Sequence, residues 1–317
     1  MVDFRYHLIS LIAVILALAL GILAGSGFLG GPILERLRTE VSDLADTNGE
    51  LRNEINEQDD QIAAAETFAR AIAPFVTDGL LAGEEVVFVQ FAESDGRLID
   101  GVREELIGAG AEIVAEITLT PKLALNSAPF RDELSLVVGS AAGDRKEILE
   151  DAALLLGQRM TAAAADPSQP DTPSGGVALQ RLETLIQDLE RAEFIDTSRA
   201  EEGRLVPAGA MFVAVGGADG RPPFDTTTFV TAFVESLTER GATAMAIENQ
   251  ASMWGLVAAV RADIEARARV ATVDNGETTI GRIAVVLGLD RANEGIVGHY
   301  GIGPQRTAIL PELNPSG

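Results

Sequence analysis

The chain has no cysteine. Disulfides, zinc–thiolate sites and thiol nucleophiles are thereby excluded, although the redox compartment stays undecided. Histidine is nearly as scarce: His7 and His299 are the only two. A histidine-based triad has one candidate, His299, and no matched nucleophile. Lysine is confined to Lys122 and Lys146, and 24 basic residues face 48 acidic ones, a net charge of −24 over 317 residues. That balance argues against nucleic acid, whose binding needs cationic side chains to replace counterions. It also disfavours adsorption to anionic lipid. No G-x-G-x-x-G or Walker A pattern follows any predicted strand, and no G-x-S-x-G elbow occurs. The glycines at 216, 217 and 220 resemble a phosphate loop only loosely and read as turn residues. Asp274, Asn275 and Glu277 follow an apolar run and read as a solvated turn rather than a metal or substrate site. No catalytic constellation emerges, so no enzyme activity and no resident cofactor or metal is expected.

Charge is also missing from one long stretch. Between Tyr6 and Leu34 there is no Asp, Glu, Lys or Arg, and roughly 20 apolar residues suffice to span a bilayer core. The expectation is a short cytoplasmic tail at 1–7 and a transmembrane helix at 8–31. The competing reading is a cleaved signal peptide, since small residues follow the apolar run at Ala24, Gly25, Ser26 and Gly27. Arg5 on one side against Arg36 and Arg38 on the other leaves the positive-inside comparison uninformative. The short tail and signal-like start favour a cytoplasmic N-terminus and an extracytoplasmic bulk, in the inner membrane. Ala17, Gly21 and Gly25 recur four apart, the spacing that lets two helix backbones approach closely.

Next along the chain is a 3-4 apolar repeat over residues 34–72, within an expected stalk at 33–73. Its first positions are Leu34, Val41, Asn48, Ile55, Ile62 and Ala69; its fourth positions are Leu37, Leu44, Leu51, Gln58, Ala65 and Ile72. β-Branched residues at the first position with leucine at the fourth favour two parallel strands, and a single Asn fixes their register at some cost. Pro74, which has no N–H and clashes with the preceding turn, is expected to stop the helix. A coiled-coil stalk of about 58 Å results at ~1.5 Å per residue. Glu54 would face Asp59 of a parallel copy, and residues 35–70 hold ten acids against four bases. Each repulsion is worth only tenths of a kcal/mol. Homodimer and heteromer, the latter with a basic partner helix, both stay open.

Beyond Pro74 short apolar runs alternate with turns, the grammar of an α/β domain with a mainly parallel sheet. A strand near 85–91, Asp95-Gly96-Arg97, a helix to about Gly108 and a strand at 111–119 make one βαβ unit. A second copy reads strand at 211–217, Asp219-Gly220-Arg221, helix at 226–240 and strand at 243–247. Two related halves, 84–164 and 177–310, are expected around a flexible Pro- and Ser-rich linker at 165–176. A further strand near 270–273 and helix at 279–289 come after them, then a glycine-rich loop at 298–303 and a disordered tail at 311–317.

The opening MVDFRYHLISLIAVILALALGI, the order of span, heptads and α/β body, and the Gly-His-Tyr-Gly at 298–301 closely resemble the actinobacterial MctB proteins, also called SteB. The resemblance is near full length and strongest at the N-terminus. It implies one of two functions. One is cell separation, acting with the membrane protein SteA on a secreted peptidoglycan hydrolase; the other is copper export across the envelope. Copper prefers thiolate, thioether or imidazole ligands. Met211 and Met245 fall in predicted core strands, and Met160 and Met253 lie singly. The near-continuous apolar runs at 86–91 and 212–215 suit a covered sheet rather than the alternating wall of a single-chain barrel. The residues therefore favour a regulatory scaffold without catalysis over a copper pore.

Overall fold

The computed structural model describes residues 4–28, 30–165, 173–199 and 204–312. Two compact units divide between Ala65 and Glu66. The first holds helix α1 (Phe4–Phe28) and most of helix α2 (Gly30–Thr77). Residues Phe4–Gly25 are long and apolar enough to cross a membrane, and their side chains are exposed throughout.

Helix α2 does not stop at Pro74 as expected; it runs three residues further, to Thr77. An interior proline costs a helix about 3 kcal/mol. Here the last turn is held by packing and by local bonds. Ala73, Thr77 and the following Leu81 are buried, and Val76 packs on a cluster formed by Ala73, Ile283 and Leu287. The Thr77 hydroxyl donates to the Ala73 carbonyl at 2.8 Å, and Asp78 N–H donates to the Pro74 carbonyl at 3.1 Å.

The second unit is built on one seven-stranded sheet. Its strands are β1 (Glu85–Phe91), β2 (Glu112–Leu119), β3 (Ile195–Arg199), β4 (Met211–Val215), β5 (Ala244–Ile247), β6 (Ala271–Val273) and β7 (His299–Tyr300). Their order is β3-β2-β1-β4-β5-β6-β7, parallel throughout except for β3, which runs against β2 at one edge. Both βαβ units read in the sequence are present, β1–α3 (Gly96–Gly108)–β2 and β4–α7 (Thr226–Thr238)–β5. They do not form separate halves. β1 pairs with β4 from Val86↔Met211 to Gln90↔Val215, so the units share one sheet and wind outward from it in opposite directions. Right-handed crossovers then place their helices on opposite faces.

The core records that arrangement. In β1, Val87, Val89 and Phe91 join the larger cluster. It also takes residues from α4 (Ala128–Val138), α5 (Arg145–Ala164), α6 (Pro173–Arg191), α7, α8 (Leu256–Ala262) and α9 (Ile264–Arg269). Val86 and Phe88 face the other way, towards Leu98, Val102 and Leu106 of α3 and Val285, Val286 and Leu289 of α10 (Thr279–Asn293). Strands covered on both faces need near-continuous apolar runs, which is what β1 and β4 supply. The expected glycine-rich loop at 298–303 contributes the two-residue strand β7. Of the expected linker at 165–176, residues 166–172 lie outside the described residues, as do 313–317 of the tail.

Candidate functional site

Along α2 the repeat positions Leu37, Val41, Leu44, Leu51, Ile55 and Ile62 are between 52% and 69% exposed. Asn48, Gln58 and Ala65 are exposed as well; the side chain of Leu34 lies outside the described residues. Burying an exposed Leu or Ile gains on the order of 1.5–3 kcal/mol. Six such side chains in one stripe thus leave a large apolar surface uncovered. The neighbouring charges add little: Arg36 and Glu40 approach to 3.7 Å one turn apart on an exposed face, a contact worth tenths of a kcal/mol. On α1, Ala17, Gly21 and Gly25 are exposed, and a Cβ added at Gly21 or Gly25 would meet nothing within 4 Å.

From Glu66 onward the same helix is committed to its own body. Ala69, which continues the first-position series, and Ala73 are 7% and 5% exposed. The small side chain of Ala73 packs with Ile283 and Leu287 of α10. The Glu66 carboxylate accepts from Thr279 N–H at 3.1 Å, adding a charged cap to the α10 N-terminus, where anions are favoured. Thr77 donates to Glu105 of α3 at 3.4 Å. Burial raises the Glu105 pKa, opposed by Arg282 and this hydrogen bond.

The carboxyl ends of β5 and β6 are not the solvated turn that the sequence suggested. Asp274 accepts from Ile302 N–H at 2.7 Å and Gly303 N–H at 3.0 Å, and it pairs with the buried Arg261. Arg261 also donates to the carbonyls of Tyr300 at 2.7 Å and Pro304 at 3.0 Å, so one guanidinium ties the last strand to α8. Burial lowers the Arg261 pKa, and the Asp274 carboxylate works against that. Arg261 Nε–H donates to the Thr272 hydroxyl at 2.8 Å. That hydroxyl lies 3.0 Å from His299 Nδ1, and His299 Nε2 lies 3.1 Å from the Arg267 carbonyl. A carbonyl accepts only, so Nε2 carries the proton and Nδ1 accepts from Thr272. Burial, reinforced by Arg261, holds the imidazole neutral, with a pKa of about 4.

Glu248, at the end of β5, accepts from Gly255 N–H at 2.8 Å and Val257 N–H at 3.0 Å, capping α8 from a neighbouring loop. Burial raises its pKa against those bonds. Glu277 accepts from Gln250 N–H at 3.2 Å with both oxygens; burial raises its pKa, and Asp274 and Asp95 add to the rise. The side chains of Asn249 and Asn275 are buried beside these carboxylates. These strand ends form a hydrogen-bonded cluster. Its signal was hidden because Asp274 finds its partners at 261 and at 302–303.

The soft and imidazole donors that copper would want are dispersed. His299 has both nitrogens occupied, Met160, Met211 and Met245 are buried, and Met253 is exposed. No group of three or more His, Asp or Glu among the described residues converges as a metal site.

Comparison with known proteins completes the picture. A family model described as "Copper transport outer membrane protein, MctB" matches residues 1–311. The copper transporter MctB of Mycobacterium tuberculosis (strain ATCC 25618 / H37Rv) is 30% identical over 311 residues, covering 96% of this chain and 97% of that one. The protein of the same name from Mycobacterium bovis matches equally. That from Mycobacterium leprae is 28% identical over 316 residues, or 98% and 99% of the two chains.

Proposed function

Because the chain belongs to the MctB family, we propose that it is the cell-separation type of that family: a non-catalytic, membrane-anchored scaffold. It is held in the inner membrane by α1, with its N-terminus in the cytoplasm and its α/β body outside. It pairs through the exposed stripe of α2, with a second copy or another helix. A SteA-like membrane protein is its partner, and control of a secreted peptidoglycan hydrolase is its output. The observation that supports this reading most is the stripe from Leu37 to Ile62, exposed at heptad spacing. An apolar seam on an otherwise charged helix is suited to recognising another helix.

A photoreactive residue in place of Leu44, in growing cells, tests the reading. Capture of a second copy, a SteA-like protein or the hydrolase is the expected result; a stripe that captures no protein would refute it.

The relatives' name supports a second reading, copper efflux. Under that reading the ion is cargo, and the chain would need exposed soft donors or a conduit made by several copies. The locked imidazole of His299 and the buried methionines weigh against it. Titration calorimetry of the full-length chain with copper separates the two. Heat of tight binding that disappears with His299→Asn or Met253→Ala would favour efflux, and absence of binding is expected for the scaffold.

A further inference from the structure

The docked end of α2 carries a second apolar stripe. Phe68 is 67% exposed and Phe75, one heptad later, is 88% exposed. Between them Ala71 is exposed and Ile72 is half-buried. Phenylalanine is among the residues most often fully buried, so two bare rings on one helical face need a cover.

The spacing says what kind. Phe68, Ile72 and Phe75 follow the 4-3 step of a coiled-coil seam. They fall on a different side of the helix from Ala69, Ala73 and Thr77, which the body buries. Ile72 is a fourth-position residue of the upstream repeat, so the new stripe shares one member with the old series and replaces the others. A displaced apolar register of this sort is how a coiled coil absorbs a break in its heptads. Here the break falls where the body takes over the old first-position stripe.

We propose that Phe68, Ile72 and Phe75 form a contact with the same residues of a second copy of this chain, carrying the pairing past the point where the upstream seam is used up. The anchoring proposed above and one observation choose a second copy. Chains anchored through α1 in one bilayer run parallel and bring like-numbered residues level. The stripe is also flanked by Ala71 and Val76, without the carboxylates that oppose each other at Glu54 and Asp59 upstream, so identical faces meet without like-charge repulsion. The inference rests on the pairing proposed above and adds its partner and its extent.

The absence of native cysteine makes the test clean. Single variants Phe68→Cys, Phe75→Cys, Leu44→Cys and Arg70→Cys of the full-length chain are oxidised in membranes, and disulfide-linked dimer is read on non-reducing gels. The replaced side chains are exposed, so folding is preserved. Linked dimer at 68 and 75, little at 70, and loss of the 68 product when Phe75→Asp is added would support the inference. Linkage at 44 with none at 68 or 75 would overturn it and leave upstream pairing intact. Failure at 44, 68 and 75 alike would overturn both. Equal linkage at 70 and 75 would mean random collision, and linkage of 68 or 75 only to a different protein would mean a different occupant; either result overturns it.

Discussion

His299 shows how one buried residue sets a pH limit on the body. Its imidazole is neutral in the fold, with a pKa of about 4 against 6.5 when free. Protonation therefore favours the unfolded chain. Above pH 6.5 the residue costs nothing, and stability is lost as pH falls from 6.5 towards 4. The full shift corresponds to about 3 kcal/mol. Urea unfolding of the full-length chain in detergent should show that loss. A His299→Asn variant, less stable at pH 7, should show a flatter dependence across the same window. Gly217 makes a second residue-scale case. It sits at φ +132°, and a Cβ there would collide with Asn249 Oδ1, whereas one on Gly79, φ +72°, meets nothing. Gly217→Ala is expected to cost about 1–3 kcal/mol and Gly79→Ala less, since only the first adds a clash to backbone strain. Parallel urea unfolding of the two variants checks the order. Neither cost could be read from the sequence: the glycines announce turns, but what stands opposite them is set by residues far along the chain.

At the scale of elements, the sequence is legible where a pattern is local. Alternation and apolar runs placed β1, β2, β4, β5, β6 and α10 close to where they lie. The short α8 and α9 went unread, as did β3, whose IDTSR has a single apolar residue. The two Asp-Gly-Arg units were recognisable as repeats. Whether they shared a sheet was not, because β2, β3 and helices α3 to α6 lie between β1 and β4 in the chain, and their register is set by packing. Pro74 is the instructive failure. Its local chemistry predicts a stop, and tertiary burial of Ala73, Thr77 and Leu81 overrides it. Pro74→Ala should restore the missing N–H and relieve the ring clash, against some gain of freedom in the unfolded chain. A net stabilisation of about 1 kcal/mol in urea unfolding is expected.

For the whole molecule, the division at Ala65–Glu66 separates two uses of one helix. Before it, the apolar stripe faces solvent; after it, the first-position stripe belongs to the body. The heptad spacing of the exposed stripe is written in the sequence, whereas the point at which the body claims the helix is not. It depends on Glu66 reaching Thr279 and on Ala73 being small enough to sit against Ile283. The central claim is that the free stripe pairs with another helix. Its most direct test is the mass of the complex that carries this chain when extracted gently from membranes, for the native protein beside a Leu44→Glu, Leu51→Glu variant. The account predicts more than one chain for the native protein and a single chain for the variant. A native protein that is already solitary, or a variant whose complex keeps its mass, would contradict it.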